Sequence, residues 1–165
     1  MFLDSTTFKQ VIGATPLVSI DLVVRDSDNN ILLGKRANKP AQGYWFVPGG
    51  RIRKSEAISC ALQRLLLQEL ELDLGEIGSR FFGVYEHFYE DCMFGAQPDT
   101  HYVVLAFEIS LQGHPKSLPC EQHSEYRWFS EGELLADPVV HTHTKWYLEM
   151  NARADVPLSG ALRSE

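Results

Sequence analysis

The sequence predicts an α/β (α+β) protein in which a mixed β-sheet carries helices on its faces. Three observations point there. Runs with strand character outnumber helical runs, one long helical run at 55–70 is inserted early, and regular strand–helix–strand repeats are absent. The 165 residues suit one domain with a sizeable core, spanning 1–156 and followed by a loose tail at 157–165. No internal repeat, low-complexity tract or Pro/Ser-rich linker divides them.

The elements follow in chain order. Asp4-Ser5 is placed to cap a short helix burying Phe8, Val11 and Ile12. The stretch "PLVSIDLVVRDSDNNILLGKR" reads as two strands around an Asp/Ser/Asn turn. "YWFVPGG" is a strand ending in a tight Gly-Gly turn, and Ser55 is a good cap for the long helix. "SRFFGVYEHFYED" and "HYVVLAFEIS" are strands separated by the polar loop 92–100, and "YRWFS" is another. Ser130 and Glu133 form a capping box, Asp137-Pro138 interrupts the chain, and "HTHTKWYLEMNA" is the last helix.

Composition narrows the partners. Apolar residues make up 44% and charged residues 22%, and no run of 18 apolar residues exists, so a membrane span is not expected. Three cysteines without C-x-x-C spacing argue against a disulfide framework or a zinc site, and a reducing cytoplasm is the expectation. The net charge of −7 argues against general nucleic-acid binding. Residues 1–54 nevertheless hold eight Lys/Arg against four Asp/Glu, while the remainder holds seven against eighteen. The early cations Lys35, Arg36, Lys39, Arg51, Arg53 and Lys54 gather around the Gly-Gly stretch. Singly each reads as a solvated loop charge; together they suit a small concentrated anion such as a diphosphate.

The long helix raises the sharpest question. At 100° per residue Ile58, Leu62, Leu65 and Leu66 share one face, with Glu69 in its middle. Leu67 and Leu70 fall opposite, so the helix should be buried nearly all round. A carboxylate on an apolar stripe is costly without a partner. Glu69 is therefore either a last-turn residue reaching solvent, a salt-bridged acid, or a cation ligand. Gly49 and Gly50 allow close backbone approach, and their carbonyls can bind a hard cation.

Gly50, Glu56 and Arg64, spaced G-x5-E-x7-R, resemble the Nudix box, G-x5-E-x7-R-E-U-x-E-E-x-G-U. Leu65 and Gln68 replace two of the box glutamates, Glu69 remains, and Glu71 stands where a Gly is expected. Together with "TPLVSIDLVV", "LLGKR", "PAQGYWFVPGGR", "HFYED", "THYVVLAF" and "EQHSEYRW", the depleted box is similar to the GDP-mannose mannosyl hydrolases, an atypical branch of the Nudix family. The resemblance covers residues 2–146.

It implies a Nudix-like α/β/α sandwich and a homodimer acting in sugar metabolism. One Mg²⁺ per subunit, for which Mn²⁺ can substitute, would rest on the Gly49 carbonyl, Glu69 and the Gln122 amide oxygen. The implied reaction is hydrolysis of GDP-mannose or GDP-glucose at the anomeric carbon with inversion, His123 activating water. His87 and His101 compete with His123 but sit on strands, where packing is the commoner role; the resemblance gives His87 the weaker, secondary claim. Arg36, Arg51 and Arg64 are implied diphosphate contacts, although Arg64 can equally pair with Glu56. Tyr102 is a candidate donor to phosphate, and Asp21 a candidate hydrogen-bond partner of the sugar or of Arg36. Phe2, Phe8 or Arg36 are candidates to stack on the base. Glu71 puts the helix end in question, since a non-Gly residue in a left-handed cap costs about 1 kcal/mol. Two other readings stand beside this one: a conventional Nudix pyrophosphohydrolase attacking phosphorus, and a non-catalytic nucleotide-sugar binding protein.

Overall fold

The computed structural model of the chain describes residues 3–73, 78–115 and 117–149. The tail expected at 157–165 and the base contact expected of Phe2 lie outside those residues. Helix α1 (Ser5–Ala14) starts as the sequence predicts: the Asp4 carboxylate accepts the N–H groups of Thr6 and Thr7, and the helix buries Phe8 and Ile12. Strands β1 (Leu17–Arg25) and β2 (Ile31–Arg36) form the hairpin. Asp26 organises its turn by accepting from the N–H groups of Asp28 and Asn30.

β1 and β2 then part. They are paired at Arg25 and Ile31, and farther out each takes a short partner from the segment that follows. β3 (Trp45–Phe46) runs back along β2 towards the hairpin turn, and β4 (Gly49–Arg51) runs away from it along β1. Residues 45–51 thus form a V nested inside the V of the hairpin. The Pro48 carbonyl at its apex accepts the Leu22 N–H at 2.8 Å.

β5 (Gly78–Tyr89) and β6 (Thr100–Ser110) complete one arm, and β7 (His123–Phe129) flanks β2 on the other. β1 and β6 are parallel and the other pairs antiparallel, which makes the seven-stranded sheet mixed, as predicted.

Alternation along β1 decides the layers. Ile20, Leu22 and Val24 face α2 (Ile58–Leu70) through Leu62, Leu65, Leu66 and Leu70. Val23, with Leu33, Tyr85, Val104 and Ala106, faces Leu134 of α3 (Glu131–Ala136) and Tyr147 of α4 (Thr142–Glu149). Each fully buried side chain of this size stabilises by about 1.5–3 kcal/mol. The predicted Ser130–Glu133 capping box opens α3.

Three expectations about α2 and its approach are corrected. The helix starts at Ile58 with Ala57 as its cap residue, which makes no side-chain cap bond. Ser55 instead takes a left-handed turn (φ 63°), and Glu56 binds the Arg53 N–H at 2.8 Å. Nor is the helix enclosed all round, since Ile58 and Leu67 are exposed. Gly49 and Gly50 lie in β4 rather than in a turn, and their need for no side chain is spatial. A Cβ on Gly49 would come within 2.4 Å of the Ile20 carbonyl, and one on Gly50 within 2.8 Å of Leu65.

Glu71 does close α2 in the left-handed conformation (φ 54°, ψ 34°). Its N–H bonds back to the Leu67 carbonyl, and the Leu72 N–H to that of Leu66. The helix therefore ends where a Gly would have ended it.

Candidate active site

A cleft of about 1130 Å³ opens along the nested V. Asp21, Phe46, Gly49, Arg51, Glu69 and Gln122 line it, together with Phe8, Arg36, Arg64, His87 and Tyr102. Of the predicted cation cluster, Arg36, Lys39, Arg51 and Arg53 reach the cleft; Lys35 and Lys54 do not, and the Lys35 ammonium lies near the Trp45 ring.

Glu69 stays on the buried face of α2, 5% exposed. Burial pushes its carboxyl up to about 7, against the pull of Arg36 and Arg64. Its Oε1 accepts from the Gln122 Nε2 at 2.7 Å, so an acid from the helix meets an amide from the loop before β7. Gly49 lines the same cleft. Ile52 and Leu22 donate across the β1–β4 ladder at alternate pairs, so the intervening Gly49 turns its carbonyl away from β1.

These three oxygen donors, one charged and two neutral, suit a hard divalent cation, and Glu69 without one is a buried acid left with an amide partner. In the present geometry the amide nitrogen of Gln122 faces Glu69, so ligation through its oxygen would need the amide to turn over. Among the described residues no three His, Cys, Asp or Glu side chains gather closely enough to hold a metal. Of Gly49, Glu69 and Gln122, only Glu69 brings a carboxylate.

The other box positions have different occupations. Leu65 is buried beneath Gly50, and Gln68 accepts from Arg64 at 3.0 Å. Arg64 is chiefly paired with Glu56, whose oxygens accept at 2.6 and 2.8 Å, and it also reaches the Arg51 carbonyl. This bidentate pair holds Glu56 down to about 2. The Glu56 alternative weighed for Arg64 is thus the contact seen.

Arg51 stacks its guanidinium 3.8 Å from the centre of the Phe8 ring. Burial lowers its pKa, while Tyr102 opposes that shift. The Arg36 Nε is buried without a hydrogen-bond partner. Tyr102 is mostly buried, and burial raises its hydroxyl.

Asp21 is 7% exposed, and burial pushes it up to about 7 despite a 2.5 Å hydrogen bond from the Tyr147 hydroxyl. His87 is also buried and held well below its ordinary pKa by burial and by His143, on which it stacks at 4.2 Å. His101, the other strand histidine, lies with its Nε2 3.4 Å from a Glu86 carboxylate oxygen and stacks on Phe88.

His123 is placed differently from the cleft residues. Its ring lies against Gly34, where a side chain would come within 2.4 Å of it, and it is not among the cleft-lining residues. Nδ1 sits 3.1 Å from the Tyr126 hydroxyl, Nε2 has no partner, and burial lowers the ring to about 4. Sequence reasoning did not single out Tyr89, which lines the cleft, or Tyr147, whose hydroxyl bonds Asp21, since no motif marks either and packing is the ordinary expectation for an aromatic in a strand or helix.

Comparison with known proteins agrees with this architecture. The NUDIX domain pattern matches residues 15–150. The low-salt glycan biosynthesis protein Agl8 of Haloferax volcanii is 39% identical over 145 residues, 86% of each chain. The ADP-ribose pyrophosphatase of Methanocaldococcus jannaschii is 31% identical over 98 residues, 59% of this chain and 53% of that one. The crystal structure of a MutT protein from Methanosarcina mazei Go1 shares the fold with a TM-score of 0.69 at 18% identity, covering 86% of this chain and 97% of its own. A Gly50–Glu56–Arg64 box wrapped around one buried glutamate, on this sheet and with these relatives, makes the chain a member of the Nudix hydrolase family.

Proposed function

We propose that the protein hydrolyses a nucleotide sugar of the GDP-mannose type, GDP-glucose included, at the anomeric carbon, releasing GDP and free sugar with inversion. The observation that carries this reading is the cleft side of α2. Of the box positions 65, 68 and 69, only Glu69 offers a carboxylate, because Leu65 is core and Gln68 is an amide bonded to Arg64. Attack at phosphorus through several cations would need more acids than this face has. The glycan-biosynthesis name of the Haloferax relative agrees with a sugar-bearing substrate.

One Mg²⁺, the cation typical of the family, would be held by the Gly49 carbonyl, Glu69 and Gln122, and its contribution is neutralisation of charge on the departing diphosphate. Arg36, Arg51 and Tyr102 bind diphosphate oxygens. Arg64 acts beside them from its pair with Glu56. Phe8, carrying Arg51 on its ring, forms the base side of the cleft, and Asp21 and His87 meet the sugar. With GDP a good leaving group, the remaining need is a base on the far face of the sugar. His123 takes that role, one residue after Gln122. It must turn out from Gly34 to do so, and its lowered pKa keeps the ring in the proton-accepting form. A homodimer is part of the same proposal.

Turnover in ¹⁸O-labelled water with Mg²⁺ tests the reading. The expected outcome is label in the sugar hydroxyl and none in GDP. Label in phosphate, with nucleoside monophosphate and sugar 1-phosphate as products, overturns it in favour of conventional pyrophosphohydrolysis. Tight GDP-sugar binding without Mg²⁺-stimulated turnover would identify a binding protein instead.

A further inference from the structure

Tyr147 lies on α4, 1% exposed, outside the cleft. Its ring packs edge-on against Tyr85 at 4.7 Å, as an ordinary core tyrosine would. Its hydroxyl does more than fill space. It donates to the Asp21 Oδ2 at 2.5 Å and lies 3.4 Å from the His87 Nε2. Both partners line the cleft.

A phenol has one proton to give. With that proton on Asp21, the Tyr147 oxygen can only accept from His87, which favours the His87 tautomer protonated at Nε2. A single buried hydroxyl therefore fixes the rotamer of one cleft side chain and the proton position of another. The two come from strands β1 and β5, and the fixing group comes from neither. Stacking on His143, also on α4, holds the His87 ring plane from the same helix.

We infer that Tyr147 is a positioning residue: α4 completes the site by orienting Asp21 and His87 towards the substrate through the Tyr147 hydroxyl. The inference rests on the reading of Asp21 as a substrate contact. A side chain of this kind is worth about tenfold or more in rate, since small displacements of cleft groups are costly to turnover.

A double-mutant cycle on the full chain tests it. Tyr147→Phe keeps the ring and removes the hydroxyl. In the otherwise natural chain kcat should fall about tenfold or more with KM changed less than about threefold, because the hydroxyl lies outside the cleft. In an Asp21→Ala background, which removes the acceptor, the same substitution should cost clearly less in kcat, the remainder being the His87 arm. An equal loss in both backgrounds, or no loss in either, overturns the inference. Rates are taken as ratios of whichever product the wild type releases, so the cycle can be read whether the sugar carbon or phosphorus is attacked. A second measurement does not depend on the Phe variant folding. The short hydrogen bond should give a far-downfield hydroxyl proton in the ¹H NMR spectrum of the wild type that disappears in Asp21→Asn. Its persistence there would assign the proton elsewhere and sink the proposal.

Discussion

His123 and Glu69 show how differently two neighbouring candidate residues reveal themselves. Glu69 was legible in the sequence because an acid in the middle of an apolar stripe violates the pattern, and the structure keeps it buried against Gln122. His123 gave only its identity, and packing has turned its ring against Gly34. His123→Asn should lower kcat by about 10²–10⁴-fold, the usual contribution of a general base. GDP affinity by calorimetry should change little, and rising pH should restore part of the rate as hydroxide replaces the base. Rates near wild type would transfer water activation to Asp21, which already lines the cleft. Gly49 and Gly50 were misread because a Gly-Gly pair has the same letters in a turn and beneath a close strand; only the neighbours at 2.4 and 2.8 Å distinguish the cases. Tyr147 was illegible for a similar reason, since its function lies in one hydroxyl at a position any core aromatic would fill.

Regular elements were legible wherever period and caps agreed. Asp4, the Asp26 turn and the Ser130 box all act as their sequences predict. The start of α2 was not, because Arg64, eight residues later, claims Glu56 and helps shape the turn that Ser55 enters. β3 and β4 are two and three residues long, too short to carry a period. The end of α2 offers a test. Glu71 pays for its left-handed backbone, but its carboxylate accepts the hydroxyl of Ser117, tying the helix end to the loop that leads to Gln122. Glu71→Gly should relieve about 1 kcal/mol of backbone cost and lose a hydrogen bond of similar worth. The urea midpoint should therefore move little, while amide exchange in residues 118–122 accelerates. Unchanged exchange would show that the tie does not hold the loop.

The layers followed from composition and pattern, but the parallel pairing of β1 with β6 joins residues some 85 positions apart and could not be read from local signals. Stability against acid belongs to this scale too. Burial holds His123 and His141 at about 4, His143 at about 3, and His87 well below its ordinary value. Asp21 and Glu69 are raised to about 7. As pH falls from about 6.5 to about 4.5, the unfolded chain protonates the four histidines, which the native state keeps neutral. The native state there holds only the two carboxyl protons, most of them already bound by pH 6.5, so below about pH 6 the unfolded chain holds about two more. Stability should fall by roughly 2–3 kcal/mol per pH unit there, and be greater above pH 6.5. Urea midpoints at pH 7.5 and 5.5 without divalent metal check this; a higher midpoint at pH 5.5 would mean the carboxyl groups dominate.

The nested V gives the site a further property. The part of its wall formed by residues 45–51 is spaced by main-chain pairing with β1 and β2, so that spacing does not depend on which side chains line the cleft. Substitutions at lining positions can therefore redraw what the cleft accepts while the main-chain frame that holds Gly49 beside Asp21 stays in register. Chemistry and ligand choice become separately heritable, and a scaffold of this kind can change its substrate without first having to be rebuilt.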